Sequence, residues 1–202
     1  MRLLAEGRAS EIYDLEDGRV LRRFKGGGNP AFEARVMEHA HAHGFPVPAV
    51  HEVRNDALVL ERIEGRTMLE AIELERDAAE LARLHRQLHE IPFEGAALLH
   101  GDLHPGNVIL SPAGPVVIDW TNAGAGDPAL DVALVWVICA GVGDPSAEKF
   151  ASAFVAHFHG WERGLPAALA YRLADPNVTD AERARLTAQS RSNKPFRSPG
   201  LN

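Results

Sequence analysis

The chain has 202 residues, 46% of them hydrophobic and 24% charged, with one cysteine and a formal net charge of −7. That length suits one domain or two small lobes able to build a core without staples, and a lone Cys139 excludes an internal disulfide and points to a reducing, cytoplasmic setting. Nucleic-acid binding is not expected without a basic footprint, nor a signal peptide from MRLLAEGRASEIYDL, nor a membrane span, since the longest apolar stretch, Leu130–Val142, is short and interrupted by Asp131. Residues 66–174 carry 7 basic and 14 acidic side chains, a balance that fits either a solvated acidic surface or a site for a cationic small molecule.

From the N-terminus, Ser10–Leu15 and Arg19–Phe24 are β-prone runs, and Glu16-Asp17-Gly18 between them is a hairpin turn signal. Gly26-Gly27-Gly28 breaks the second run. Asn29 and Pro30 suit an N-cap and a first helical residue, and Phe32, Val36 and Ala40 recur every four residues, which predicts an amphipathic helix over Pro30–His43. Gly44 ends that helix, Pro46 and Pro48 bracket an extended connection, and His51–Val53 and Ala57–Ile63 read as strands.

From Gly65 the pattern turns helical. Asp77 and Glu80 have capping-box spacing at the head of a helix lined by Leu81, Leu84 and Leu88, and Pro92 stops it. Val108–Leu110 and Val116–Asp119 are short apolar runs joined by Ser111-Pro112-Ala113-Gly114-Pro115, which reads as a hairpin. Asp127 and Pro128 open a helix apolar on nearly every side, and Ser146–His159 and Leu165–Ala174 predict two more. From Gln189 there is little to bury, so residues 189–202 are expected to form a loose tail. The result is an α+β chain: a small β-rich lobe with one helix over 1–64 and a mostly helical lobe with one hairpin over 65–188.

The chemistry concentrates in LLHGDLHPGNVIL and the following VVIDWTNAGAGDPALDVA. Asp102 and Asn107 lie five apart in a loop that Pro105-Gly106 allows to turn, and the hairpin returns Asp119 beside them. Three oxygen-bearing side chains converging there suit a hard cation such as Mg²⁺, which takes few carboxylates and shares its shell with phosphates.

HGDLHPGN followed by VVIDW resembles the catalytic loop and metal-binding aspartate of protein-kinase-like phosphotransferases. The glycine after the histidine, and IDW in place of DFG, are similar to the aminoglycoside phosphotransferase and choline kinase-like family. RVLRRF, FEARVME, GFPVPAV, LVLERIEG and LARLH follow in the family's order, so the resemblance covers roughly residues 6 to 135. It implies a two-lobed protein-kinase-like fold and an ATP-dependent transfer of the γ-phosphoryl group to a hydroxyl of a small molecule.

Carried over by position, the resemblance makes Asp102 the catalytic aspartate that orients and deprotonates the acceptor hydroxyl, and Asn107 and Asp119 the Mg²⁺ ligands. Arg22 falls where the family holds the α- and β-phosphates with a third-strand cation, and Glu33 matches the helix glutamate that pairs with it. The backbone of Glu61 and Ile63 matches the hinge that hydrogen-bonds adenine. Gly7 is what remains of the glycine-rich phosphate cover, and Asp131 resembles a buried aspartate that braces the catalytic loop. Arg23 and Lys25 are alternatives to Arg22, although strand alternation turns Arg23 to the opposite face. Seven residues, 120–126, separate Asp119 from Asp127, too few for a long activation segment, which argues for a small acceptor and against a protein. The sparse glycine loop and short C-terminal lobe support the alternative, a nucleotide-binding pseudo-kinase or regulatory module. A monomer is expected, or a homodimer in which the second copy completes the acceptor site.

Other conspicuous residues have structural readings. His100 and His104 are expected to be loop histidines bonded to backbone, and His39, His41 and His43 a solvated helix end. FKGGGNP lacks the spacing of a phosphate loop and reads as a flexible connection. Cys139, Trp136 and the Phe150, Phe154 and Phe158 stripe suit the core, whereas Trp120, next to Asp119, is the aromatic best placed to touch a ligand.

Overall fold

The computed structural model of the chain describes residues 1–7 and 10–191. In chain order, strands β1 (Arg2–Glu6), β2 (Ser10–Asp14) and β3 (Arg19–Phe24) precede helix α1 (Pro30–Ala42), and β4 (Val50–Val53), β5 (Ala57–Glu61) and β6 (Arg66–Thr67) lead into α2 (Leu74–His89). Strands β7 (Pro92–Phe93), β8 (Ala96–Leu99), β9 (Val108–Ser111), β10 (Gly114–Val117) and β11 (Gly124–Gly126) follow. Helices α3 (Pro128–Val142), α4 (Pro145–Val155), α5 (Leu165–Ala174) and α6 (Asp180–Arg191) complete the order. The architecture is α+β. No helix among the described residues is long and apolar enough to cross a membrane.

The chain divides into two compact units, one made of Met1–Ala71 with Asp102–Gly124, the other of Ile72–Gly101 with the described residues from Ala125 on. The first is built on an antiparallel sheet in the order β1-β2-β3-β5-β4. Side chains alternate across a strand, and the register pairs Leu21 with Val59 and Arg22 with Leu58. One face therefore carries Leu21, Ala57 and Val59, packed with Tyr13 and Leu15. The other carries Val20, Arg22 and Leu60. Helix α1 starts where Asn29 Oδ1 accepts the Phe32 amide at 3.0 Å with Pro30 in the first turn, and it buries Val36, Met37 and Ala40. A smaller sheet, β10-β9-β6, completes this unit.

In the second unit α2 buries Leu81, Leu84 and Leu88, and α3, apolar almost throughout, is surrounded by α4, α5 and α6. Its cysteine is inert by environment: burial pushes the Cys139 thiol up to about 12. Asp131 on α3 is buried, yet both carboxylate oxygens are used. Oδ1 accepts the Gly101 amide at 2.9 Å, and Oδ2 accepts the His100 amide and His89 Nε2, each at 3.1 Å. Desolvation alone would raise its pKa, but the histidines and these bonds hold it well below the carboxylate range. Beside it, His85 donates from Nδ1 to the Leu81 carbonyl at 2.9 Å and packs against the Phe154 and His89 rings.

Several boundaries differ from the sequence reading. The expected strand Ala57–Ile63 ends at Glu61, the expected Val116–Asp119 ends at Val117, and the expected helix Ser146–His159 ends at Val155. Helix α2 begins one turn before the Asp77–Glu80 pair. Asp77 is not its cap; from inside the first turn its Oδ2 accepts the Glu73 amide at 2.7 Å. Strand β1 and helix α6 had no sequence signal, and α6 takes up the first three residues of the expected tail. Residues 192–202 of that tail lie outside the described residues.

His85 sets an acid limit on stability. Burial is the main cause that lowers its pKa from 6.5 to about 4, with Asp131 opposing and His89 adding to the shift. A depressed histidine pKa means the unfolded chain takes up the proton first, so the stabilisation is full above pH 6.5 and is lost as pH falls towards 4. The loss amounts to about 3 kcal/mol. Urea unfolding at pH 7 and at pH 4.5 is expected to show this loss in the native chain and a much smaller one in His85→Leu.

Candidate active site

The β9–β10 hairpin assembles the acidic side of the site. Val108 pairs with Val117, and the ladder runs one step further, with the Ile118 amide donating to the Asn107 carbonyl at 2.9 Å. Asn107 and Asp119, twelve positions apart in sequence, are thereby brought to the same end of the hairpin. Asp119 does not end the strand as expected. It lies two residues beyond it with φ at +64°, a left-handed conformation that costs a non-glycine residue on the order of 1 kcal/mol.

Arg22 supplies the basic side. It is 4% exposed, and its donors are spent on four partners: Glu33 Oε1 at close range, Asp119 Oδ1 at 2.5 Å, Thr121 Oγ1 at 2.7 Å and Ser10 Oγ at 3.3 Å. Arg23 points the other way, to Glu11 and the Tyr13 hydroxyl, and Lys25 pairs with Glu6. Arg22 is thus the third-strand cation that faces the site. Burial pushes the Glu33 carboxyl up, Arg22 pulls it back down, and Asp119 adds to the upward shift. Thr121 Oγ1 contacts both Glu33 and Asp119, at 3.3 and 2.9 Å.

A cavity of about 670 Å³ in the first unit is lined by Gly7, Arg22, Glu33, Glu61, Ile63, Asn107 and Asp119, with Val20, Met37, Leu60, Ile109 and Ile118 as apolar walls. Asp102 is not among its lining residues; it adjoins them through Asn107, whose Nδ2 donates to the Asp102 carbonyl at 2.9 Å and to its carboxylate at 3.4 Å. At Glu61–Ile63, the Glu61 amide donates to Ala49 and the Arg62 amide to Gly18. The glycine-loop residues 8 and 9 lie outside the described residues.

Asn107 and Asp119 offer an amide oxygen and a carboxylate, the hard donor set that Mg²⁺ accepts when phosphates and waters fill the rest of its shell. With its nitrogen committed to Asp102, Asn107 has its carbonyl oxygen as the donor to a cation.

One expectation is corrected, and two residues were not foreseen. Trp120 does not face a ligand: it is fully buried, edge-on to Phe45 at 5.7 Å, with Nε1 donating to the Val117 carbonyl at 3.0 Å. Thr121 and Ser10 were missed. Hydroxyls in a turn and at a strand end carry no periodic signal, and only the partners of Arg22 reveal them.

The profile of the Phosphotransferase enzyme family matches residues 94–171, and that of the RIO domain matches residues 30–126. Among curated proteins, a probable serine/threonine-protein kinase BUD32 homolog of Archaeoglobus fulgidus is 34% identical over 101 residues, which is 50% of this chain and 45% of that protein. A thiamine kinase of Escherichia coli is 46% identical over 57 residues, 28% of this chain and 20% of that protein. The match thus spans less than half the length of these relatives. Among solved structures, aminoglycoside phosphotransferase APH(4)-Ia superposes with a TM-score of 0.69 at 17% identity, covering 96% of this chain and 93% of that one. A choline/ethanolamine kinase family protein from Mesorhizobium loti gives 0.67 at 17% identity, covering 96% and 88%. A thermostable APH(4)-Ia mutant, solved with AMP-PNP and hygromycin B, gives 0.69 at 18% identity, covering 95% and 93%.

The Arg22–Glu33 pair is nearly sealed from water, so removing one partner leaves a buried charge uncompensated. Arg22→Met is expected to cost about 3–5 kcal/mol of unfolding free energy, measured by urea titration. Arg22→Lys is expected to restore only part of it, because one ammonium cannot serve four partners held in a planar fork.

Proposed function

We propose that this chain, which shares its fold with an aminoglycoside phosphotransferase and a choline/ethanolamine kinase family protein, transfers the γ-phosphoryl group of ATP to a hydroxyl of a small molecule. One observation carries the reading. A single cavity gathers a buried arginine, an apolar slot and the Asn107–Asp119 pair, and Asp102 accepts a hydrogen bond from Asn107 of that pair.

In this reading the nucleobase lies between Val20, Met37, Leu60, Ile109 and Ile118, against the edge of Glu61–Ile63. The Glu61 and Arg62 amides already have backbone acceptors, so the Glu61 carbonyl and the Ile63 amide are the groups assigned to the base. Arg22, held by Glu33, turns its charge towards the phosphates. Mg²⁺ on Asn107 and Asp119 would neutralise charge on the phosphate oxygens. Asp102 orients the acceptor hydroxyl and takes its proton as the new O–P bond forms and the bond to the ADP oxygen breaks. Positioning matters more than basicity in such a loose transition state, so one carboxylate suffices. Buried Cys139 agrees with a reducing cytoplasm.

A protein acceptor is the second reading, supported by the RIO domain match and the archaeal relative named as a probable serine/threonine-protein kinase. The seven residues between Asp119 and Asp127 favour the small molecule.

Incubation with γ-labelled Mg-ATP and a pool of amino alcohols, sugars and aminoglycosides is expected to label one small compound. Asp102→Ala is expected to lower that turnover by on the order of 10²–10⁴ while nucleotide affinity, measured by calorimetry, stays within a few-fold. Undiminished turnover in the variant overturns the assignment of Asp102. Label on protein serine selects the second reading, and binding without turnover selects a pseudo-kinase.

A further inference from the structure

His104 stands at the head of the 3₁₀ turn Pro105–Asn107, and its ring has an enforced orientation. Nδ1 accepts the Gly106 amide at 3.0 Å. A backbone N–H can only donate, so Nδ1 is the bare nitrogen and the proton of the neutral ring sits on Nε2. Gly106 makes this fold-back possible, since a Cβ there would come within 2.8 Å of His104 Cε1.

That orientation sends Nε2 towards Asp102, 3.9 Å from Oδ1, while Asn107 Nδ2 lies 3.4 Å from Oδ2. The carboxylate thus stands between two N–H groups, one on the side of each oxygen. The longer separation is beyond a hydrogen bond, but it is the kind that tightens when a reacting complex forms or that one hydroxyl bridges. Both side chains are only about a quarter exposed, 27% and 26%, so the N–H dipole acts on the carboxylate with less screening than at an open surface.

We propose that His104 is a positioning residue for Asp102, its Nε2–H fixing the carboxylate in the orientation that receives the acceptor proton. The role rests on the phosphotransferase reading above. The competing explanation is that His104 merely caps the turn through Nδ1.

Two substitutions separate the roles, because each preserves one ring nitrogen's function. His104→Asn keeps an acceptor for the Gly106 amide and deletes the donor to Asp102. His104→Gln places an amide nitrogen near the Nε2 position and gives up the cap. With Mg-ATP alone as the probe and water as acceptor, His104→Asn is expected to lower kcat roughly tenfold or more, with KM for ATP within about twofold and an unchanged melting temperature. His104→Gln is expected to melt lower yet recover most of kcat. A His104→Asn variant with native kcat overturns the role, as does loss of kcat that tracks melting temperature in both variants. A native chain whose ATP turnover does not depend on Asp102 overturns the phosphotransferase reading itself, and this role with it.

Discussion

A guanidinium removed from water loses several kcal/mol of hydration, and the fold must return that through fixed partners. Arg22 recovers it from Glu33 on α1, Asp119 and Thr121 after β10, and Ser10 on β2, while its plane lies over the Phe24 ring at 5.2 Å. Three segments, α1, β2 and the stretch after β10, are therefore tied to one side chain on β3. The fork of N–H groups is planar and rigid, so the partners must come to it. This sets where the first turn of α1 sits against the sheet, and it helps to hold the segment after the hairpin in its left-handed bend. Within this group two carboxylates share one cation. Burial is the main push on Glu33 and Asp119 adds to it, and by formal charge two carboxylates and one guanidinium leave one negative charge in excess. That is the sign a divalent cation would neutralise.

Two stretches of the HGDLHPGN motif are held by hydrogen bonds, each within its own compact unit. Asp131 holds the His100 and Gly101 amides, and the Ile118 amide holds the Asn107 carbonyl. Within the first unit, Pro105 fixes one φ and the His104–Gly106 contact closes the turn before Asn107. Asn107 Nδ2 holds the Asp102 carbonyl and lies 3.4 Å from its carboxylate, and under the proposed transfer such preorganisation would stand in for a stronger base.

What the sequence disclosed follows from which signals are local. The family resemblance pointed to Arg22, and alternation along Arg19–Phe24 put Arg23 on the opposite face, because a two-residue period is fixed by strand geometry. Asn29, Pro30 and Asp127 marked their helix starts because caps are made by near neighbours. Trp120 escaped for a physical reason. Proximity to Asp119 suggested a shared environment, but the left-handed φ at Asp119 reverses the chain and turns the next side chain into the core. Strand β1 is exposed along its whole length, so no alternation of apolar and polar residues betrays it. Helix α6 is polar almost throughout and buries Leu186 from its middle, too little for a periodic stripe.

Thr121 shows where such reading stops. Its hydroxyl serves Glu33, Asp119 and Arg22 together, and Asp119, two residues before it, is its one near neighbour among them. The demand for that hydroxyl comes from Arg22, 99 positions away. A residue whose role is set by a distant buried charge becomes legible only once that charge and all its donors have been counted. The same count identifies Ser10, and it makes the ring of partners around Arg22, more than any one motif, the feature that defines the cavity's polar end.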